Sequence, residues 1–127
     1  MKEVFLARAK ENIAAAAELF ASEKYNASAN RAYYAAFHAA ISALMHYGHT
    51  PEIDHKPVQA LFNRLFIYER KVFPSSLKAD LLDLQNVRGE ADYRAGIGKK
   101  RAAAQLKQVQ SFVTIILSTL EYDTAQY

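Results

Sequence analysis

The sequence predicts an all-α protein, an antiparallel up-and-down bundle of four long helices plus one shorter helix. Three observations carry that prediction. Apolar residues recur at three- and four-residue intervals, the period of a helix with a buried face, and no stretch alternates as a strand would. Alanine forms runs at Ala14 to Ala17 and Ala102 to Ala104, and it is the residue that loses least on entering a helix. Only 4 glycines and 3 prolines occur in 127 residues, too few for a disordered chain or for the turns of an all-β one. That length suits one domain over residues 1–127 and leaves little room for a second core.

The first helix is expected over about Lys2 to Ser22, with Val4, Leu6, Ile13, Ala17 and Phe20 broadly along one face. Tyr25-Asn26 interrupts it, and Asn26 or Ser28 can cap a second helix over about Ala27 to Tyr47. That helix is so crowded with Ala, Tyr and Phe that it should meet neighbours on more than one side. Gly48 suits a left-handed stop, and Pro51 lies in the loop beyond. Asp54 can cap a third helix reaching about Lys71, with Pro57 tolerated in its first turn. Its apolar positions are Val58, Leu61, Phe62, Leu65 and Phe66. After a turn at Phe73-Pro74, Ser75 or Ser76 starts a fourth helix through Leu77, Leu81, Leu82 and Leu84. It ends near Arg88-Gly89 unless Ala91-Asp92-Tyr93 adds a turn. Gly96-Ile97-Gly98 sets off the last helix, about Lys99 to Tyr122, striped by Ala103, Leu106, Val109, Val113, Ile116, Leu117 and Leu120.

The absence of Cys excludes a disulfide framework, a thiolate metal site and a cysteine nucleophile, and it fits a reducing compartment. The first turns carry charges and lack the apolar core of a secretory leader. The most apolar run, Phe112 to Leu120, is too short to span a bilayer. These features predict a soluble, cytoplasmic protein with no membrane partner. The net charge of +3 is uninformative, but its distribution is not. From Asn86 to Lys107 there are six bases and two acids, a net +4, so the remainder of the chain is about −1. An anion should meet the protein there.

Three constellations could carry chemistry. On the second helix, Arg31 and His38 lie two turns apart on one face with Tyr34 and Ala35 between them, able to clamp a phosphate and move a proton. Alternatively Tyr33, Tyr34 and Phe37 are core and His38 is a satisfied histidine, although a buried Arg31 still needs a carboxylate or carbonyl partner. At the end of the fourth helix, Arg88, Asp92, Tyr93 and Arg94 make a compact polar group: Arg88 can bind phosphate, Asp92 orient it and Tyr93 donate or stack. The alternative there is an Arg88–Asp92 pair that joins the helix end to the bundle, with Tyr93 in the core. Third, Gly96-Ile97-Gly98 precedes Lys99, Lys100 and Arg101 at a helix start, which suits an anion but lacks Walker spacing and also fits a solvated basic turn. His46, His49 and His55 show no recognised metal-ligand pattern, so no metal or cofactor is expected.

Together, Asn30-Arg31-Ala32-Tyr33-Tyr34-Ala35-Ala36-Phe37-His38, His55 and Arg88-Gly89-Glu90-Ala91-Asp92-Tyr93 make the chain resemble the HEPN superfamily. The likeness is greatest to its small stand-alone bacterial and archaeal branch, and it runs from the first helix through Phe112-Val113. The resemblance implies an all-α bundle, commonly a homodimer, often encoded beside a minimal nucleotidyltransferase as a toxin–antitoxin pair. It also implies RNA chemistry, because many members are metal-independent endoribonucleases. In those an arginine and a following histidine meet across the dimer interface. The 2′-hydroxyl attacks the adjacent phosphorus, histidine moves protons and arginine stabilises the phosphate charge.

Carried onto this sequence, the family arginine is Arg88, and Tyr93 stands where the histidine is expected. With an ordinary pKa of about 10, tyrosine is a poor base at neutral pH. His38 follows Arg31 at a similar spacing but on an earlier helix. Three functions stay open. One is an RNA- or nucleotide-binding module using Arg31, Arg88, Asp92, Tyr93, Arg94, Lys99, Lys100 and Arg101. Another is a ribonuclease whose catalytic residues would be Arg88, Tyr93 and His38, with His38 or His55 supplying the proton transfer. The last is a subunit that only docks a partner protein.

Overall fold

Lys2–Ala21 fold as α1, Tyr25–His46 as α2, His55–Phe62 as α3, Asp80–Tyr93 as α4 and Lys99–Gln126 as α5. The structure, a computed structural model, describes the backbone of residues 1–93 and 96–126 and the side chains of all of these except 93 and 123–126. Among the described residues there is no strand, and the chain is an all-α bundle as its periodicity predicts.

Helix α2 is the axis. Of its 22 residues 13 are buried, and seven of those are alanines without exposed surface, from Ala29 to Ala43. Small side chains let neighbouring helices come close, so α2 is enclosed rather than amphipathic. Helix α1 returns antiparallel along it: the Lys2 ammonium donates to His46 Nδ1 (3.1 Å) near one end, and the Phe20 and Tyr25 rings meet 5.5 Å apart at the other. Helices α2 and α4 are also antiparallel, Arg88 lying by Tyr34 and Asp92 by Asn30. Helices α4 and α5 repeat the pattern through Asp80–Gln108 and Glu90–Arg101. Buried residues from all five helices form one apolar cluster. At its α3 end the rings of Phe62, Phe66, Phe73 and Phe112 lie 5.2–5.7 Å apart, offset or edge-on as ring quadrupoles prefer.

Several local expectations are corrected. In α1 the fully buried line is Phe5, Ala9 and Ala16, while Leu6 and Ile13 of the expected face are partly buried against the core and Val4 is 40% exposed. Helix α2 begins at Tyr25 without a side-chain cap. Neither expected cap is free to act, since Ser28 Oγ donates to the Ala16 carbonyl (2.8 Å) and Asn26 Oδ1 accepts from Ile97 N (2.9 Å). Asp54 does cap α3, accepting from His55 N at 2.8 Å, but the helix widens into a π-helical segment, Asn63–Glu69. There Leu65, Phe66 and Ile67 are buried in succession, and Arg70 N reaches Leu65 O (2.8 Å) across five residues. Ser75–Leu77 form only a short 3-10 turn ahead of α4, and Leu82 faces outward, 52% exposed. Helix α4 continues without a break through Arg88-Gly89 to Tyr93. In α5 the buried stripe runs through Ala102, Gln105, Val109, Phe112, Val113, Ile116 and Leu120, leaving Ala103 exposed.

Candidate functional site

Helical spacing arranges the site. Tyr34 and His38 follow Arg31 at three and seven residues and share its face of α2, and Asp92 lies one turn beyond Arg88 on α4. Antiparallel packing of α2 on α4 then sets Arg88 against the paired tyrosines. Its guanidinium carbon lies 5.4 Å from the Tyr33 ring centroid and 5.6 Å from that of Tyr34, within cation–π range of both. Its Nη1 donates to the Tyr34 hydroxyl at 3.0 Å.

Asp92 is a loose partner for that cation. Its Oδ2 stands 3.9 Å from Arg88 Nε, an ion-pair distance beyond hydrogen-bond reach. The two side chains are 15% and 24% exposed, and Arg88 Nε is buried with no hydrogen-bond acceptor among the described residues. The same Oδ2 accepts from Asn30 Nδ2 at 3.1 Å, which ties α4 to the start of α2. Asp92 therefore joins α4 to α2 through Asn30 rather than through its pair with Arg88, and it does not saturate the arginine.

Arg31 occupies the adjoining subsite. It donates from Nη1 to Asn12 Oδ1 and from Nε to Asn30 Oδ1, both at 3.1 Å, and its guanidinium lies 5.1 Å from the Tyr34 centroid. The carbonyl acceptors that a half-buried arginine requires are thus two side-chain amides. Because Asn12 Oδ1 accepts from Arg31, its Nδ2 is the end that donates to His38 Nδ1 (3.3 Å), which leaves the proton of neutral His38 on Nε2. Burial, then the charges of Arg8 and Arg31, hold the His38 pKa below its ordinary value.

His55 enters from the start of α3. Its Nδ1 is hydrogen-bonded to the Tyr33 hydroxyl, and its ring also packs 5.1 Å from that of Phe37. Burial lowers the His55 pKa, Arg88 lowers it further, and Asp54 partly opposes both. Burial raises the Tyr33 pKa well above the phenol value against the pull of Arg88, so this hydroxyl stays protonated. Tyr33 thus connects His55 to the shelf on which Arg88 rests.

The expected site residues separate into groups. Arg31, Arg88 and Asp92 come together, with His38 attached through Asn12 and His55 through Tyr33. The Tyr93 side chain and Arg94 lie outside the described residues. Lys99 and Lys100 are exposed at the start of α5, and Arg101 is held by Glu90 (2.9 Å), two residues from Arg88. The loop before them is pinned by Asn26: Gly96 has φ +92°, and a Cβ there would stand 2.9 Å from the Asn26 amide. Asn12, Asn30 and the phenol of Tyr34 are the participants that sequence reasoning missed. Asn12 carries no sequence signal at all, whereas the adjacency of Asn30 and Arg31 gave Asn30 a weak one. Among the described residues, no three of His, Asp or Glu cluster so that they could hold a metal ion.

No curated protein matches the chain in sequence. The HEPN domain family matches residues 3–119, nearly the whole bundle and every residue of the Arg31–Arg88 group. The paired tyrosines of α2 and the arginine of α4, distant in sequence and joined in space, therefore belong to one recognised unit, and the chain is a member of the HEPN domain family.

Proposed function

We propose that this protein is an RNA- or nucleotide-binding HEPN module whose Arg88 guanidinium receives a phosphate. The observation that carries the reading is the state of that arginine. It is half-buried, fixed by two rings and a phenol, and opposed by a carboxylate too distant to bond it. A buried donor without an acceptor costs about 1–3 kcal/mol, and a phosphate oxygen offers the missing acceptor with charge complementarity. Asp92, Tyr93 and Arg94 at the end of α4, together with Lys99, Lys100 and Arg101, would continue the contact surface. Work as a homodimer, within a toxin–antitoxin-like or nucleotidyltransferase-associated system, is the setting the family suggests.

Titrating a short single-stranded RNA at several salt concentrations tests this. Arg88→Ala is expected to weaken binding at least ten-fold and to reduce the slope of log K against log salt by about 0.7, the share of one single-strand phosphate contact. Undiminished binding by that variant, with its slope unchanged, refutes the assignment.

A second reading, a metal-independent endoribonuclease, is favoured by the Tyr33–His55 contact. It brings a histidine with a lowered pKa to the arginine shelf within one chain, although Tyr93 stands at the family's histidine position. Neutral His55 would take the proton of a 2′-hydroxyl as that oxygen bonds to phosphorus. The 5′-oxygen would leave with a proton taken from water, while Arg88 faces the phosphate charge. His38 is bonded to Asn12 on the Arg31 side, so it is the weaker candidate for that step.

A further inference from the structure

The two arginines of the site differ in what surrounds them, and the difference bears on ligand class. Both guanidinium carbons lie near one ring, 5.1 Å (Arg31) and 5.6 Å (Arg88) from the Tyr34 centroid. Each lies near a different imidazole: after burial, Arg8 and then Arg31 depress the His38 pKa, and after burial Arg88 depresses that of His55, which Asp54 partly opposes. Two cationic subsites thus share Tyr34 as their common wall. One carboxylate, Asp92, stands 3.9 Å from Arg88 and accepts from Asn30, and it reaches Arg31 only through that amide. Among the described residues Arg31 bonds only to neutral amide oxygens. The half-buried group therefore holds more positive than negative charge, an unfavourable state that an anion relieves.

The geometry is also set before any ligand arrives. Asn30 accepts from Arg31 through Oδ1 and donates to Asp92 through Nδ2, so one amide fixes the two subsites relative to each other. Arg31 spends Nε–H and one Nη2 hydrogen on Asn30 and one Nη1 hydrogen on Asn12, keeping a second hydrogen on each terminal nitrogen, and among the described residues Arg88 spends only one.

We infer that the ligand of this site carries two neighbouring phosphoryl groups, one received by Arg88 and the other by Arg31, with Tyr34 beside both. This rests on the reading of Arg88 as a phosphate receiver. The shared chemistry has two sources, the diphosphate of a nucleotide and successive phosphates of an RNA strand. Asn30 and Asn12 act as positioning residues that aim Arg31.

Calorimetric titration of the full chain with uridine 5′-monophosphate, uridine 5′-diphosphate and a uridine trinucleotide tests the clamp. The diphosphate or the trinucleotide is expected to bind at least ten-fold tighter than the monophosphate, and whichever does so identifies the source. Arg31→Ala should remove that advantage, costing the diphosphate or trinucleotide at least ten-fold more than the monophosphate, and Arg88→Ala should weaken every ligand. Arg31→Lys, which keeps the charge but loses the fork, should retain part of the gain, and melting curves of each variant check that it folds. Equal affinity for all three ligands, or an equal loss of all three in folded Arg31→Ala, overturns the clamp and leaves the Arg88 reading standing. No binding of any of them overturns both.

Discussion

At the scale of single residues, the site depends on paired tyrosines whose hydroxyls have different duties. Tyr33 is fully buried and bonds His55, while Tyr34 is half-buried and holds Arg88. If the protein cleaves RNA, His55 is the residue that shows it. His55→Ala should abolish cleavage and retain Arg88-dependent binding, whereas His38→Ala should cleave normally. Tyr33→Phe, which removes the hydroxyl and keeps the ring, should displace the pH profile of cleavage because it acts through His55. Gel analysis of products ending in a 2′,3′-cyclic phosphate, with a 2′-deoxy substrate left intact, is the measurement. Cleavage that survives in His55→Ala refutes this role, and uncut RNA with intact binding leaves only the binding module. Spacing on α2 and the Arg88–Asp92 segment were legible in the sequence because the helical period and i,i+4 adjacency are local rules. Asn12 was not, since its role exists only after α1 folds back onto α2.

At the scale of elements, helix ends separate what local sequence determines from what it tolerates. Helices α1 and α2 stop by the same device. After α2, Gly48 N donates to Met45 O (3.0 Å) and His49 N to Leu44 O (2.9 Å), with Gly48 at φ +87°. After α1, Glu23 N donates to Phe20 O (3.0 Å) and Lys24 N to Leu19 O (2.9 Å), with Glu23 at φ +61°. These are the paired bonds of a Schellman stop, whose left-handed residue is most often glycine. Gly48 announces its stop, whereas Glu23 occupies the same conformation against its own preference and so left the α1–α2 turn to be inferred from Tyr25-Asn26. Two substitutions should consequently act in opposite directions. Glu23→Gly relieves a left-handed side chain and is expected to stabilise the protein by about 0.5–1 kcal/mol, while Gly48→Ala imposes one and should cost about 1 kcal/mol. Thermal or urea unfolding reads both, and a loss of stability in Glu23→Gly would show that its side chain contributes more than its backbone costs.

At the scale of the whole molecule, the bundle buries its charged site beside its core, and stability should carry the signature of that arrangement. His38 and His55 both have pKa values below the ordinary 6.5, chiefly because burial penalises their cations and neighbouring arginines repel them. Between the depressed folded value and 6.5 the unfolded chain binds more protons than the folded one, so stability rises with pH there. The contribution is complete above pH 6.5 and is lost as pH falls through the folded-state values. The two histidines should differ in consequence. Protonating His38 adds a hydrogen at Nδ1, where Asn12 Nδ2 already donates, and places a cation beside Arg31. Protonated His55 can still donate to the Tyr33 oxygen, and Asp54 favours its charge. Melting temperatures measured from pH 7.5 down to 5.5 are therefore expected to hold level and then fall, more flatly in His38→Gln than in His55→Gln. A profile that is level throughout, or one unchanged in both variants, would mean that these imidazoles take up protons equally in the folded and unfolded chains and that the arginine group is less short of negative charge than its geometry indicates. Because an anion bound between Arg31 and Arg88 supplies that missing charge, saturating ligand should shift the fall to lower pH only if protonated His38 is stabilised by the same phosphate, and this couples the stability of the bundle to the occupancy of its site.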